Sequence, residues 1–116
     1  MSVGSQWAKT GPPAVVKLPE EIDITNADHV RGELQAALDQ GAATVIADLS
    51  GTMFCDSSGL RALVGAHKRA AADGVRVLLV IGDSQVRRLF ALTGMDSVIE
   101  VYPSVERALA GGSARS

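Results

Sequence analysis

Val75-Arg76-Val77-Leu78-Leu79-Val80-Ile81 is the most strand-like run in the chain. A strand with one face in water alternates apolar and polar side chains. One interrupted only by Arg76 is expected to be covered on both faces, as in a parallel sheet that carries crossover helices. Gly74 before it and Gly82-Asp83-Ser84 after it read as a helix stop and a helix start. The run is therefore a strand between two helices.

The same alternation extends outward in both directions. Upstream, Leu60, Leu63, Val64, His67 and Ala71 recur at helical spacing, and Thr44-Val45-Ile46-Ala47-Asp48-Leu49 reads as a second buried strand. Before that, Asn26 is expected to cap a helix whose inward face is Ala27, Val30, Leu34, Ala37 and Leu38, ended by Gly41. A short β-branched run from Ala14 to Leu18 is stopped by Pro19. Downstream, Val86, Leu89, Phe90 and Thr93 mark the inward side of a third helix ended by Gly94. A strand from Val98 to Tyr102 and a short helix from Ser104 to Ala110 follow. The order β-α-β-α-β-α-β-α requires right-handed crossovers. The expected fold is α/β, with a mixed, mostly parallel sheet of four to five strands and about four helices. Residues 1–13 are expected to form a flexible arm or a weak edge strand near Ser5 to Lys9, residues 14–110 the domain, and residues 111–116 a disordered tail.

Composition narrows the function. A chain of 116 residues is one domain with one core. Hydrophobic residues make up 47% and aromatic ones 3%, so the core is built from Leu, Val, Ile and Ala. A net charge of −2 implies no general affinity for nucleic acid, and Arg87-Arg88 reads as a solvated helix face. No apolar run approaches the roughly 20 residues of a membrane-spanning helix. Cys55 is the single cysteine, and with His29 and His67 it makes no ligand pair at metal spacing, so no metal or cofactor is expected. The first residues lack the charged and apolar regions of a secretory signal, and the expected location is cytoplasmic.

The unusual polar cluster is Asp56-Ser57-Ser58, set between a strand and the helix expected from Leu60 to Ala72. Functional groups in open α/β sheets gather at such junctions. Asp and Ser are also the preferred helix caps, so capping and a functional use of the hydroxyls both stand open. Catalysis by this chain does not fit. The nucleophile elbow Gly-x-Ser-x-Gly lacks its leading glycine at Cys55-Asp56-Ser57-Ser58-Gly59. His67 lies roughly 12–15 Å along the helix that Ser57 opens, beyond hydrogen-bond reach. Cys55 has the same lack of a base and reads as a small buried residue. No glycine-rich phosphate loop occurs. The chain is not expected to be an enzyme.

At these residues the sequence closely resembles the stand-alone anti-anti-sigma factors of the STAS domain family. The family's hallmark, Asp-Ser-(Ser/Thr)-Gly-Leu, stands as Asp56-Ser57-Ser58-Gly59-Leu60. A Gly-Glu-(Leu/Ile)-Asp run is echoed by Glu20-Glu21-Ile22-Asp23, with Glu20 in place of the glycine. Arg88-Leu89-Phe90-Ala91-Leu92-Thr93-Gly94 matches a third motif. The similarity covers Ala14 to Leu109, and the family's opening strand is faint. The resemblance implies a single STAS-like domain and a partner-switching antagonist. Unphosphorylated, it binds an anti-sigma factor that is also a serine kinase and frees a sigma factor. The kinase phosphorylates Ser57, and a serine phosphatase resets the switch. Asp56, Ser58, Gly59 and Leu60 support the motif, and Glu21, Asp23, Thr25 and Arg61 are the expected partner-binding residues. The competing reading is a non-phosphorylated STAS scaffold or sensor module that binds protein or nucleotide.

Overall fold

The structure is a computed structural model that describes residues 11–82 and 84–114. Four parallel strands form the main sheet: β1 (Ala14–Lys17), β3 (Thr44–Asp48), β5 (Arg76–Val80) and β6 (Glu100–Tyr102), in that spatial order. A second, two-stranded parallel sheet pairs β2 (Glu21–Ile22) with β4 (Phe54–Cys55). It was not foreseen, because strands of two residues carry no periodicity. The helices are α1 (Ala27–Asp39), α2 (Ser57–Ala72), α3 (Gln85–Thr93) and α4 (Val105–Ala114), with a 3-10 turn at Met95–Ser97. Gly41, Gly74 and Gly94 take positive φ at the ends of the first three helices, as their positions predicted.

The central strands are apolar over residues 45–47 and 77–80 because both of their faces are covered there. Val45, Ala47, Val77 and Leu79 point to one side, where they pack with Val30 and Leu34 of α1 and Leu63 of α2. Ile46, Leu78 and Val80 point to the other, against Ala108 of α4, with Tyr102 and Val105 alongside. One helix therefore covers a face that carries three fully buried side chains.

Four local readings change. Asn26 occupies the N-cap of α1 without capping it with its side chain. Instead its Oδ1 accepts from the Asp23 N–H at 2.9 Å and its amide donates to the Glu21 carbonyl at 2.7 Å, so it ties the approach loop to β2. The inward face of α2 is Gly59, Ala62, Leu63, Ala66 and Ala70. Leu60, Val64 and His67 lie half-buried at its margin and Ala71 is exposed, because the small side chains let the helix approach α1 and the sheet closely. On α3, Thr93 is exposed and turns its hydroxyl back onto the Leu89 carbonyl at 2.8 Å. Finally, α4 continues to Ala114, past the expected end at 110. Gly in a helix costs about 1 kcal/mol relative to Ala, but a Cβ at Gly111 would stand 2.5 Å from the Tyr102 ring. The glycine permits the helix to lie against that ring.

At the N-terminal side, Gly11 bridges to Ala42, and its N–H donates to the Gly41 carbonyl at 3.2 Å, so the chain already touches the sheet there. The expected arm or edge strand over residues 1–10 lies outside the described residues. The bend at Glu20, where the family pattern has glycine, is held by the loop after β3. Met53 N–H donates to the Glu20 carbonyl at 2.7 Å, and the buried Thr52 hydroxyl donates to the Pro19 carbonyl at 2.8 Å.

Leu78 is fully buried between the sheet and α4. Leu78→Ala is expected to lower stability by about 2–5 kcal/mol, read as a fall in the urea midpoint at unchanged slope. A loss under about 1 kcal/mol would mean that α4 closes onto the gap.

Candidate functional site

The site begins with one carboxylate. Asp56 has extended backbone geometry and stands at the N-cap of α2. Its Oδ1 accepts from the Ser58 N–H at 2.8 Å and the Gly59 N–H at 3.2 Å. A helix start leaves its first amides without intrahelical partners, and an aspartate cap satisfies two of them at once. The Asp56 N–H donates to the Ile22 carbonyl at 3.0 Å, which ties the cap to β2. The helix therefore opens at Ser57, three residues before the expected Leu60.

That shift decides which side chain caps. Asp56 does so, which leaves both serine side chains inside the first turn rather than ahead of it. Ser57 is exposed as the first helical residue and Ser58 is half-buried. Among the described residues the Ser57 hydroxyl meets no hydrogen-bond partner. Leu60, half-buried, packs at the edge of the core.

Gly59 seats this turn on the small sheet. A Cβ at Gly59 would stand 2.6 Å from Cys55 Sγ and 2.7 Å from Ile22 Cγ2, closer than any real contact. Cys55 is buried, and its thiol is pushed up to about 11 by burial and by the neighbouring Asp56 carboxylate. It is a protonated packing group.

The expected partner-binding residues flank this turn. Because Ile22 pairs with Cys55, the loop after β2 runs beside the segment that leads to Ser57. Glu21 and Thr25 are exposed. Asp23 turns inward on its own loop: its carboxylate accepts from the Thr25 hydroxyl and from the Thr25 N–H, the latter at 2.9 Å. The hydroxyl bond, with the backbone bonds behind it, holds the Asp23 carboxyl below its usual range. Asp23 thus shapes the loop. Arg61 is exposed one helical turn beyond Ser57, on the same face.

Sequence reasoning missed the apolar surroundings. Ile24 and Leu92 are each 79% exposed, Met53 65% and Phe54 51%. Met53 and Phe54 lead directly into the Asp56-Ser57 turn, and Ile24 sits in the loop beside it. The signal was present in the sequence as Met53-Phe54 ahead of a polar cluster. It reads equally well as core until the two-residue strand β4 turns Phe54 outward and Cys55 inward. Among the described residues no three His, Cys, Asp or Glu side chains cluster to hold a metal, and no helix is long and apolar enough to cross a membrane.

The STAS domain family model matches residues 6–108. The anti-sigma-B factor antagonist of Bacillus subtilis is 31% identical over 91 residues, covering 78% of this chain and 83% of that protein. The anti-sigma F factor antagonist of Lysinibacillus sphaericus is 30% identical over 87 residues, 74% of each. Among solved structures, an anti-sigma factor antagonist from Mycobacterium paratuberculosis superposes with a TM-score of 0.79 at 25% identity, covering 88% of this chain and 86% of that one.

Gly59→Ala is expected to destabilise the protein by about 1–3 kcal/mol, measured by chemical denaturation, because both groups in the way belong to the packed junction. For Cys55, iodoacetamide at about pH 8 should label the folded protein at least about a hundredfold more slowly than the urea-unfolded chain, since two units of pKa are two decades of thiolate. Equal rates would place the thiol at the surface.

Proposed function

This chain belongs to the STAS domain family, and on that premise we propose that it is an anti-sigma factor antagonist switched by phosphorylation of Ser57. In the unphosphorylated state it binds an anti-sigma factor that is also a serine kinase, which releases a sigma factor in the cytoplasm. Phosphate on Ser57 ends the binding and a serine phosphatase restores it. The names of the curated relatives support the antagonist role. The observation that carries the site is the division of labour in the first turn: Asp56 caps, while Ser57 is exposed and its hydroxyl meets no partner among the described residues.

The electrostatics favour a switch read by the partner. A phosphoserine carries about −1.5 to −2 charges. Anions at a helix N-terminus gain about 0.3–1 kcal/mol from the peptide dipoles. Here the amides of Ser58 and Gly59 are already taken by Asp56, so a phosphate on Ser57 has only its own N–H nearby and a like-charged neighbour. It is left pointing at solvent. Arg61, one turn on, offsets the repulsion by a few tenths of a kcal/mol, as exposed i,i+4 pairs do. The fold is held and the new charge is presented outward. A desolvated, unpaired charge at an interface costs about 2–5 kcal/mol, a loss of roughly thirtyfold to several thousandfold in affinity. Glu21, Thr25 and Arg61 form the polar rim of the docking surface, and Asp23 holds the loop that presents Thr25.

The test incubates the protein with ATP and each anti-sigma kinase of its source organism and locates the phosphate by mass spectrometry. The phosphate is expected on Ser57. Ser57→Ala should bind the kinase like the unmodified protein, and Ser57→Asp at least about thirtyfold more weakly. Phosphate on Ser58 or on an N-terminal serine overturns the site, and equal binding of the two variants overturns charge-based switching. Transfer from no such kinase favours the scaffold reading.

A further inference from the structure

Next to the Ser57 turn, a groove of about 350 Å³ separates β4 from α3. Its walls are Met53 and Phe54 on one side and Val86, Leu89 and Leu92 on the other, with Arg88 among them. Single exposed apolar side chains are ordinary on a protein surface, but a concave apolar strip is a docking feature. Leu92 and Met53 are the most open of these groups, and neither is needed to fill the core.

Three observations say what the groove takes. It is continuous with the switch: Phe54-Cys55 forms one wall and runs straight into Asp56-Ser57, so a body that reads Ser57 also covers the groove. Among its lining residues the one charged group is Arg88, and Arg87 stands next to it in the chain outside the groove. Arg87 and Arg88 are exposed on α3, and among the described residues neither meets a carboxylate. A second copy of the chain is a poor occupant, because a two-fold contact places the same patch on both sides and brings Arg88 toward its own equivalent.

We propose that the groove receives an apolar side chain borne on an acidic segment of the anti-sigma kinase, and that it sets partner affinity separately from the charge on Ser57. This rests on the antagonist reading. The groove contributes affinity through apolar burial, while Arg88 and Arg87 accelerate encounter and set its dependence on salt. The serine then acts as the gate on a contact whose strength is fixed elsewhere.

The experiment uses the full chain and the kinase that phosphorylates the wild type, loaded with a non-hydrolysable ATP analogue so that Ser57 stays unmodified. Calorimetry compares wild type, Leu92→Ser combined with Met53→Ser, Arg88→Glu, and a control, Val15→Ser, which removes a half-exposed apolar group on β1. The double variant should bind at least about tenfold more weakly and the control within about twofold of wild type. Arg88→Glu should slow association and flatten its salt dependence. With ordinary ATP, the double variant should raise KM for phosphotransfer by a similar factor at unchanged kcat, which general unfolding does not do. Wild-type binding with an unaffected double variant overturns the groove alone. A monomer-dimer equilibrium in the wild type that the double variant abolishes, without a change in kinase affinity, assigns the groove to a second copy and overturns the proposal. No binding by the wild type removes the antagonist reading itself, and the groove's partner with it.

Discussion

Everything at the Ser57 turn depends on how closely the start of α2 approaches the small β2–β4 sheet. Gly59 rests against Cys55 and Ile22 at a distance no side chain at that position allows. The same two residues face each other across the parallel pair. The Asp56 amide is bonded to the Ile22 carbonyl, and the Asp56 carboxylate to the turn that Gly59 belongs to. A minimal sheet, a glycine contact and an aspartate cap therefore form one joint. Through Ile22 and Cys55 the joint reaches the main core.

Much of this architecture was legible in the sequence because it rests on long-range patterns. The buried strands around Ile46 and Leu78 announce themselves by continuous apolarity, and Gly41, Gly74 and Gly94 by position. What escaped was decided by tertiary contact. β2 and β4 are too short for any period. Apart from Leu63, which its hydrophobicity announces, the inward face of α2 is made of Gly59, Ala62, Ala66 and Ala70, which a reading by hydrophobicity ranks below Leu60 and Val64. Here the distance of approach, not side-chain size, chose the buried face.

The polar motif was partly readable in the same sense. Composition showed that Asp56-Ser57-Ser58 exceeds what one cap requires. It did not show which of the three would cap, since all three have suitable oxygens. The structure gives the task to Asp56, whose carboxylate reaches two amides at once. Ser57 is left outside and Ser58 half inside. The exposure of Ile24, Met53, Phe54 and Leu92 was not read from the sequence, because an apolar side chain in a short loop or strand carries no sign of which way it faces.

The Asp56 cap has a bearing on time. The Ser58 and Gly59 amides are occupied beforehand by Asp56, so in the proposed switch a phosphate would find no helix turn to rewind and no hydrogen bonds there to exchange. In the proposed switch, the protein itself therefore adds no lag and keeps no memory of its last state. The pace of the response belongs wholly to the two opposing enzymes, and the chain reports their current balance.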